Sequence, residues 1–305
     1  MSVVFLPRVL RISARALGTG ASSRPVGFRA HAPFPLSQFL IAVVGRAVHA
    51  GSLSGWAGHR GCSGWTSDGG PGHLYGGHIP TNPVQKALLA VGSGMAALQN
   101  PYRHDMVAVL GETTGHLALL RLRDRMKSSP EGHSILKERP RIRLSTLDLT
   151  EMSSLPDGSL GREYLRFLKE NRVTPDSRAD VKFVDDEELA YVMQRYREVH
   201  DLLHTLLGMP TNMLGEVAVK WFEAAQTGLP MCILGAAFGP LRLSARRLQL
   251  LTASLGPWAL RNGRRSNCVL SIYYEHRWGQ SLTSLREELC IEPPPLSLST
   301  LRKTT

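Results

Sequence analysis

From His78 onward, hydrophobic side chains recur every three or four residues, which is the period of an α-helix. The two-residue alternation that indicates β-strands is scarce, and no internal repeat is visible. The periodicity predicts helices over residues 82–98, 115–126, 159–171, 186–207, 212–225 and 241–255. Their connections carry Pro and Gly, and nothing marks a second domain. We therefore predict an all-α fold, a single helical domain with antiparallel and orthogonal helix packing, preceded by an unstructured leader.

The predicted helix over residues 186–207 is the longest, and the sequence indicates both its beginning and its core face. Asp185 with Glu188 three residues later has the spacing of a capping box, and acids in a first turn interact favourably with the helix dipole. The helix over 82–98 should begin with Asn82 as its N-cap and Pro83 as its first residue. Apolar residues at heptad-like spacing predict the core stripe of the long helix: Leu189, Val192, Tyr196, Val199, Leu203 and Leu206.

The N-terminal region differs in composition from the rest of the chain. The first 80 residues contain seven arginines, no lysine and a single acid, Asp68. Arg8, Arg11 and Arg15 share one face of a helix, and a segment rich in Arg, Ser and Ala without acids is typical of a mitochondrial presequence. An extension with no targeting role is the alternative. We predict a transit peptide and disordered leader over residues 1–72, the helical domain over 73–295 and a flexible tail over 296–305.

Composition and charge limit the classes of protein to which this chain can belong. The formal net charge is +11, but the leader supplies much of it, and the remainder lacks the clustered basic face of a nucleic-acid binder. The four cysteines stand singly, which favours a reducing compartment. No uninterrupted apolar run reaches the roughly 18 residues of a membrane-spanning helix, so we predict none. The uncharged stretch over residues 224–241 is interrupted by Pro and Gly and predicts a buried or membrane-facing hairpin.

Residues 199–216 contain the pattern with the clearest chemistry. His200 and His204 are four residues apart, Asp201 follows the first histidine, and Glu216 lies twelve residues after the second. Two imidazoles at i and i+4 on a helix are a common start of a divalent-metal site, and carboxylates complete such a site while offsetting the charge of the ion. We therefore predict that His200, Asp201, His204 and Glu216 bind a metal and take part in its chemistry.

The segment between the two halves of this pattern predicts a helix reversal. Gly208 and Pro210 should end the first helix, and Asn212 is suited to cap the second. At about 1.5 Å rise per residue, His204 lies near the end of the first helix and Glu216 near the start of the second, so the four side chains can meet at one level. The alternative is a polar cluster at the border of the core stripe, with Asp201 solvated and no ion bound.

The predicted ligands suit more than one metal. Two histidines with carboxylates are typical of zinc, and two histidines and one carboxylate with open positions also suit non-haem iron. The spacing of the ligands does not separate zinc from iron. Two enzyme classes share part of the pattern: zinc metalloproteases place Glu directly after the first His, where this chain has Asp201, and His-Asp phosphohydrolases need further ligands, for which the segment over residues 103–105 is the only supplier.

Four long segments resemble the mitochondrial coenzyme Q (ubiquinone) biosynthesis family that is the fourth of the Coq series. They read GHIPTNPVQKALLAVGSGMAALQNPYRHDMVAVLGETTG, FVDDEELAYVMQRYREVHDLLHTLLGMPTN, VAVKWFEAAQTGLP and YYEHRWGQSL. The likeness runs from about residue 75 to 293 and includes the metal motif of the family, His-Asp-x-x-His followed after eleven residues by Glu. In this chain the motif is His200, Asp201, His204 and Glu216.

The resemblance implies a peripheral protein on the matrix side of the mitochondrial inner membrane, within a multiprotein complex of coenzyme Q biosynthesis proteins. It implies a carbon–carbon lyase, a 4-hydroxy-3-methoxy-5-polyprenylbenzoate decarboxylase, which removes the C1 carboxyl group with or without hydroxylation of that carbon. It also implies an organiser of the complex, and the alternative is a non-catalytic scaffold that binds prenyl lipid. The expected partners are therefore the other biosynthesis proteins, a prenylated benzoate or quinone lipid and the inner-membrane surface, but not nucleic acid. A homo-oligomer is compatible with this arrangement.

Overall fold

In the computed structural model, the residues that are described are 73–100, 103–297 and 301. The presequence and leader predicted over residues 1–72 and most of the tail predicted over 296–305 lie outside them. The described chain is all-α, as the periodicity predicts, and its only β-type pairing is an isolated bridge between Ser159 and Ser281. The α-helices are α1 Pro83–Gln99, α2 His104–Thr114, α3 His116–Lys127, α4 Pro130–Glu138, α5 Leu149–Ser154, α6 Leu160–Asn171, α7 Glu187–Leu207, α8 Met213–Thr227, α9 Pro230–Phe238, α10 Ala245–Leu250, α11 Gly256–Arg265 and α12 Leu282–Glu288.

Helix α7 is the centre of the domain. Every residue from Leu189 to Leu207 is buried, including all members of the predicted core stripe. Helices α3, α4, α6 and α8 pack against it from several sides. A helix enclosed in this way can carry polar side chains only if each finds a partner inside the protein, because an unsatisfied buried polar group is costly. Most polar groups of α7 have such partners, and the exceptions are the Nε atom of Arg195, the Nε2 atom of His204 and the Oγ1 atom of Thr205.

The helix ends are set by local capping. Asn82 caps α1 in a capping box with Gln85, which confirms the predicted start of this helix. The predicted capping box of α7 is wrong: the side chain of Asp186, not Asp185, accepts the hydrogen bond from the Leu189 amide at 2.8 Å. Asp185 has another role, because its carboxylate binds His78 and Lys86 and so ties α1 to the segment before α7.

The C-terminal third departs most from the predicted boundaries. The helix predicted over residues 241–255 begins at Ala245 and continues, through one π-helical turn at Leu251–Leu255, into α11. Short helices that the periodicity does not reveal are α2, α4, α5, α9 and α12. The hairpin predicted over residues 224–241 is present as the end of α8, a left-handed turn at Gly228 and α9. Within residues 73–100 and 103–297, no helix combines the length and the apolarity that crossing a bilayer requires.

Candidate metal centre

The site forms where α7 turns back into α8. Gly208 ends α7 in a left-handed conformation at φ 63°, which a glycine adopts without strain, and the Met209 amide bonds back to the His204 carbonyl at 2.9 Å. Asn212 then caps α8 by accepting the Gly215 amide at 3.0 Å. The turn is tight, since a Cβ atom on Gly215 would lie 2.0 Å from the Pro210 carbonyl oxygen. The reversal predicted from these residues is therefore present.

The reversal brings three of the four predicted ligands together. One ligand atom from each of His200, His204 and Glu216 lies within 4.8 Å of the others. The Nε2 atom of His200 is 3.7 Å from one Glu216 carboxylate oxygen, and the Nε2 atom of His204 is 3.4 Å from the other. The two imidazole rings stand at 89° to each other with centroids 5.0 Å apart. In the part of the chain that the structure describes, no other group of three or more such side chains converges in this way.

Hydrogen bonds on the far side of each ring determine which nitrogen faces the site. His204 donates from Nδ1 to the Met209 carbonyl at 3.2 Å, and His200 donates from Nδ1 to a Glu223 carboxylate oxygen at 2.6 Å. In a neutral imidazole the other nitrogen then carries the lone pair. Both Nε2 atoms therefore present lone pairs toward Glu216, in the arrangement that a bound cation requires.

Glu216 is the accessible member of the three. Its side chain is 36% exposed, whereas those of His200 and His204 are 9% and 1% exposed, so the site opens on the Glu216 side. Burial opposes ionisation of Glu216, but the two imidazoles, when they are protonated, outweigh burial and hold the pKa of its carboxyl well below its usual range; a bound cation would act on Glu216 in the same way. An ionised Glu216 in the first turn of α8 is also favoured by the helix dipole.

The structure places Asp201, the fourth predicted ligand, in a different pair. Its carboxylate accepts hydrogen bonds from the Arg178 guanidinium, one of them from Nη2 at 2.5 Å. Asp201 is 3% exposed and Arg178 arrives from the segment between α6 and α7. One residue of helix rotates a side chain by about 100°, so the residue next to a ligand does not share its direction. Asp201 thus balances Arg178 and is not among the three converging groups.

Three further polar residues extend the site along the seam between α7 and α8. Tyr196 lies one turn before His200, and Lys220 and Glu223 lie on the Glu216 face of α8. Glu223 accepts hydrogen bonds from Tyr196 at 2.8 Å and from Lys220 at 2.6 Å, in addition to the one from His200. These residues were not predicted as members of the site. Their spacings of four and seven residues from the motif would have placed them on the faces of α7 and α8 that carry it.

His104 is a neighbour of the site from another helix. It begins α2, and its electrostatic neighbours include Arg178, Glu216, His200 and Lys220. Partial burial and the charge of Arg178 hold the pKa of His104 below its usual value, so the ring is neutral at physiological pH. The rival phosphohydrolase arrangement would need ligands from this segment. Asp105, however, is bonded to Arg103, so its carboxylate is engaged in another pair.

The residues present fit a divalent cation. His204 Nε2 is buried with no hydrogen-bond partner, which is costly for a polar atom unless an ion or solvent satisfies it. Asp201 is balanced by Arg178 and Glu223 by Lys220, but no lysine or arginine of the described chain lies within 4.0 Å of Glu216. Two imidazoles and one unmatched carboxylate suit zinc with an open position, and equally a two-histidine, one-carboxylate iron site.

The family model that matches the chain and the known proteins most similar in sequence share the same description. The family model described as "Coenzyme Q (ubiquinone) biosynthesis protein Coq4" matches residues 75–295. The chain is 81% identical over 227 residues to the "Ubiquinone biosynthesis protein COQ4 homolog, mitochondrial" of Danio rerio, covering 74% of this chain and 84% of the relative. The Homo sapiens protein of the same description is 69% identical over 232 residues, with 76% and 88% covered.

A solved structure supports the fold. A crystal structure of a protein from Nostoc punctiforme superposes with a TM-score of 0.54, covering 69% of this chain and 99% of that chain. The two sequences are 21% identical, so this likeness concerns the fold alone. It shows that a fold of this kind occurs in an experimentally determined protein.

Proposed function

Because the chain belongs to the Coq4 family of coenzyme Q biosynthesis proteins and acts in ubiquinone biosynthesis, we propose that its α7–α8 metal centre serves a decarboxylase. The proposed reaction is that of a carbon–carbon lyase, which removes the C1 carboxyl group of prenylated 4-hydroxy-3-methoxybenzoate. The observation that carries the proposal is the convergence of His200, His204 and Glu216, with the Nδ1 atom of each imidazole hydrogen-bonded away from the site.

The chemistry requires one bond to break and one to form. C1 of the ring accepts a proton, the bond between C1 and the carboxyl carbon breaks, its electron pair returns to the ring, and carbon dioxide leaves. A divalent ion at the centre supplies Lewis acidity toward an oxygen of the substrate. The version in which C1 is hydroxylated would need dioxygen as the oxidant, and two electrons and two protons from a reductant so that the second oxygen atom leaves as water. Because zinc has no redox chemistry, this version would also need iron, another redox metal or direct attack of oxygen on the electron-rich ring.

The surrounding side chains suit an anionic head group. Burial disfavours the charged form of Lys220, but Glu223 outweighs burial and raises the pKa of Lys220, so its ammonium group keeps its proton. Arg178 is held by Asp201 and provides a second positive charge near Glu216. Each of these cations is already paired with an acid, so toward a benzoate carboxylate they would serve as hydrogen-bond donors that orient it and not as a source of net positive charge. These residues bind and orient, and the three ligands hold the ion.

Zinc is the proposed metal, and iron is the alternative. Elemental analysis of the full chain purified without added metal distinguishes them. A zinc site would give zinc, and an iron site would give iron, in a stoichiometric amount relative to the protein. Absence of any transition metal at unit stoichiometry, together with no uptake of either ion in titration, would contradict a metal centre. His200, His204 and Glu216 would then be a hydrogen-bonded cluster without an ion.

Product formation tests the reaction. The purified chain, loaded with metal, is incubated with a short-chain prenylated hydroxybenzoate, and the decarboxylated product is measured. We expect turnover by the wild type and loss of turnover in His204→Ala and Glu216→Ala, with His133→Ala as the matched control because His133 is exposed on α4. Wild-type turnover in both ligand variants, with folding preserved, would remove the centre from the reaction.

A non-catalytic scaffold that binds membrane or prenyl lipid is the second proposal, and the outer face of α1 favours it. Five apolar side chains on this face are exposed by 50–69%. They follow one another at helical spacing, and the face carries no acid. An exposed apolar patch of this kind marks a surface for a partner or a bilayer. The five residues are Val84, Leu88, Val91, Met95 and Leu98.

The charge around this face favours a bilayer with anionic lipids. Arg242, which follows α9, donates to the backbone carbonyls of Leu98 and Gln99, so the exposed Phe238 and Leu241 adjoin the end of α1. Residues 224–274 contain six arginines and no acid. Arg242 borders the apolar side chains, and the segment that contains it is basic, a combination that suits the surface of an anionic membrane. We propose peripheral binding to the matrix side of the mitochondrial inner membrane, where the chain organises other coenzyme Q biosynthesis proteins. Co-sedimentation with anionic vesicles tests the membrane contact.

The two proposals make different predictions for the isolated protein. A catalyst turns over the short-chain analogue alone, whereas a scaffold binds metal and vesicles without releasing carbon dioxide. A metalloprotease is disfavoured because Asp201, in the position of the protease general base, is held by Arg178. Cleavage of casein by the wild type and its loss in Glu216→Ala would support that rival instead.

A further inference from the structure

Glu223 is the acid most deeply enclosed by the seam between α7 and α8. Its side chain is 0% exposed, and it lies seven residues after Glu216 on the same face of α8. The carboxylate accepts three short hydrogen bonds: from His200 Nδ1 at 2.6 Å, from Lys220 Nζ at 2.6 Å and from the Tyr196 hydroxyl at 2.8 Å. These donors come from both helices, so the carboxylate has little freedom to turn.

These contacts determine the state of the His200 ring. An ionised carboxylate only accepts hydrogen bonds, so His200 must carry its proton on Nδ1. The lone pair of the neutral ring is then on Nε2, the atom that faces Glu216 at 3.7 Å. With the proton on the other nitrogen, the ring would present an N–H group to the site and bind no ion. The tautomer that Glu223 selects is the one that a metal ligand needs.

Glu223 also forms an ion pair with Lys220, whose Nζ atom lies 2.6 Å from the carboxylate. A carboxylate that is paired with an ammonium group has no proton to donate, so its role toward His200 is that of an acceptor.

We propose that Glu223 is a positioning residue of the metal centre, which orients His200 and selects its Nδ1–H tautomer so that Nε2 binds the ion. This inference rests on the proposed metal centre and goes beyond the ligand motif, because Glu223 does not itself face the ion. Carboxylates in this position behind a metal-binding histidine typically contribute about 10- to 100-fold to metal affinity.

The competing explanation is that Glu223 only neutralises Lys220. A second buried pair in the domain provides the control, because Glu112 is 6% exposed and is bonded to Arg197, which is also 6% exposed. Glu112 contacts none of the three ligands and instead accepts the Lys182 and Phe183 amides. Glu223→Gln and Glu112→Gln therefore make the same chemical change in two buried ion pairs, one behind a ligand and one remote from it.

The experiment measures zinc affinity by competition with a chromophoric chelator, using the purified full chain. We expect Glu223→Gln to bind zinc about 10- to 100-fold more weakly than the wild type and Glu112→Gln to bind it as the wild type does. Circular dichroism verifies that each variant is folded. Equal affinity of Glu223→Gln and wild type, or an equal loss in both variants, overturns the proposal.

A second variant and a spectroscopic measurement decide the matter if Glu223→Gln does not fold. Glu223→Asp keeps the charge beside Lys220 but withdraws the carboxylate by one methylene from His200, and the same loss of zinc affinity is expected. Long-range proton–nitrogen NMR spectra of the metal-free wild type should show His200 protonated on Nδ1, and protonation on Nε2 contradicts the proposal. Failure of the wild type itself to bind zinc refutes the proposed metal centre, which is a different result from equal binding by wild type and variants.

Discussion

The seam between α7 and α8 and the outer face of α1 have opposite relations to solvent. The seam places ionisable groups such as His204 and Glu223, which are 2% and 0% exposed, inside the protein. The outer face of α1 leaves Leu88 and Val91, at 69% and 63% exposure, outside it. Burying ionisable groups and exposing a stripe of apolar side chains are both unfavourable for the stability of the folded protein, so stability does not explain either feature. The difference separates a part of the fold that positions polar groups in the interior from a part that leaves apolar side chains uncovered.

A second contrast lies within α7 itself. Arg195 and Arg197 are as buried as the histidines, but each is matched by an acid, Glu275 and Glu112 respectively. His204 has a buried Nε2 atom without a hydrogen-bond partner. The Nε atom of Arg195 and the Oγ1 atom of Thr205 on the same helix also lack a partner, so a missing hydrogen bond alone does not indicate a ligand site. What distinguishes His204 is that its ring converges with His200 and Glu216.

The largest effect is expected from breaking a satisfied pair. Glu275→Ala leaves the Arg195 guanidinium, whose side chain is 0% exposed, without its carboxylate partner. Removing one member of a buried ion pair costs about 3–5 kcal/mol, because the other charge remains buried and unpaired. Urea denaturation should show this loss in the free energy of unfolding.

The matched control removes both charges. Glu275→Leu combined with Arg195→Met replaces the pair by apolar side chains and should recover much of the lost stability. Zinc affinity should be unchanged in every folded variant of this set, since neither residue contacts His200, His204 or Glu216. If zinc affinity also fell, the buried ion pair and the metal site would be energetically coupled.

The next effect concerns the ligands. His204→Ala removes one of three converging groups, and sharing the roughly 10–16 kcal/mol of a four-ligand zinc site equally gives about 3 kcal/mol per ligand. Zinc affinity should therefore fall by more than about 100-fold. Thermal unfolding of the metal-free variant should change much less than that of Glu275→Ala. Unchanged zinc affinity would indicate that these imidazoles serve packing, like the neighbouring Phe167 ring stacked on His204.

The sequence predicted those features of the fold and the site that depend on the spacing of residues along a single helix. Periodicity predicted the all-α class and the stripe from Leu189 to Leu206, because spacing along a helix sets which residues share a face. The same logic brought His200, His204 and Glu216 to one level, since a short reversal leaves little freedom between two helices. Short helices such as α2 and α9 were not predicted, because pieces of about ten residues carry too few turns to show a period.

The parts that sequence did not predict depend on elements arriving from elsewhere in the chain. Asp201 is removed from the ligand group by Arg178, whose position follows from the segment between α6 and α7. Asp186 rather than Asp185 caps α7 because His78 and Lys86 bind the Asp185 carboxylate. Each of these partners is more than 20 residues away in sequence, and periodicity along one helix carries no information about such contacts.

The outer face of α1 can be tested separately. Leu88→Ser removes an apolar side chain that is 69% exposed, so the free energy of unfolding should change by no more than about 0.5 kcal/mol. If the face enters a bilayer, the same change costs about 2 kcal/mol of membrane binding, roughly 30-fold in partitioning. Flotation with vesicles containing anionic lipid measures this difference.

The control for this experiment is an exposed leucine on another helix. Leu149→Ser changes a residue that is 39% exposed on α5, away from α1 and α9 in sequence. It should leave vesicle binding unchanged. An equal loss of vesicle binding in both variants would indicate non-specific apolar binding by the protein surface. Unchanged vesicle binding by Leu88→Ser would exclude the outer face of α1 as the membrane contact.

The smallest effect is expected where α1 is attached to the rest of the domain. Asp185 joins Lys86 of α1 to His78, and its side chain is 42% exposed. Burial opposes ionisation of Asp185, but its hydrogen bonds with Lys86 and His78 outweigh burial and lower its pKa. A carboxyl group with a lowered pKa in the folded state stabilises the protein above its unfolded-state pKa of about 3.9, and this stabilisation is lost as the pH falls from there through the folded-state value. For an exposed pair it amounts to about 0.2–1 kcal/mol.

Asp185→Asn should therefore lower the free energy of unfolding slightly at pH 7, and the difference from wild type should shrink as urea denaturation is repeated at pH values below about 4. Asp124→Asn is the control, because Asp124 pairs with its neighbour Arg123 and joins no second element. Vesicle binding should be unchanged by Asp185→Asn, since apolar contact supplies the binding energy and α1 remains packed against α2. If vesicle binding fell as far as in Leu88→Ser, the orientation of α1, rather than its exposed side chains, would control the membrane contact.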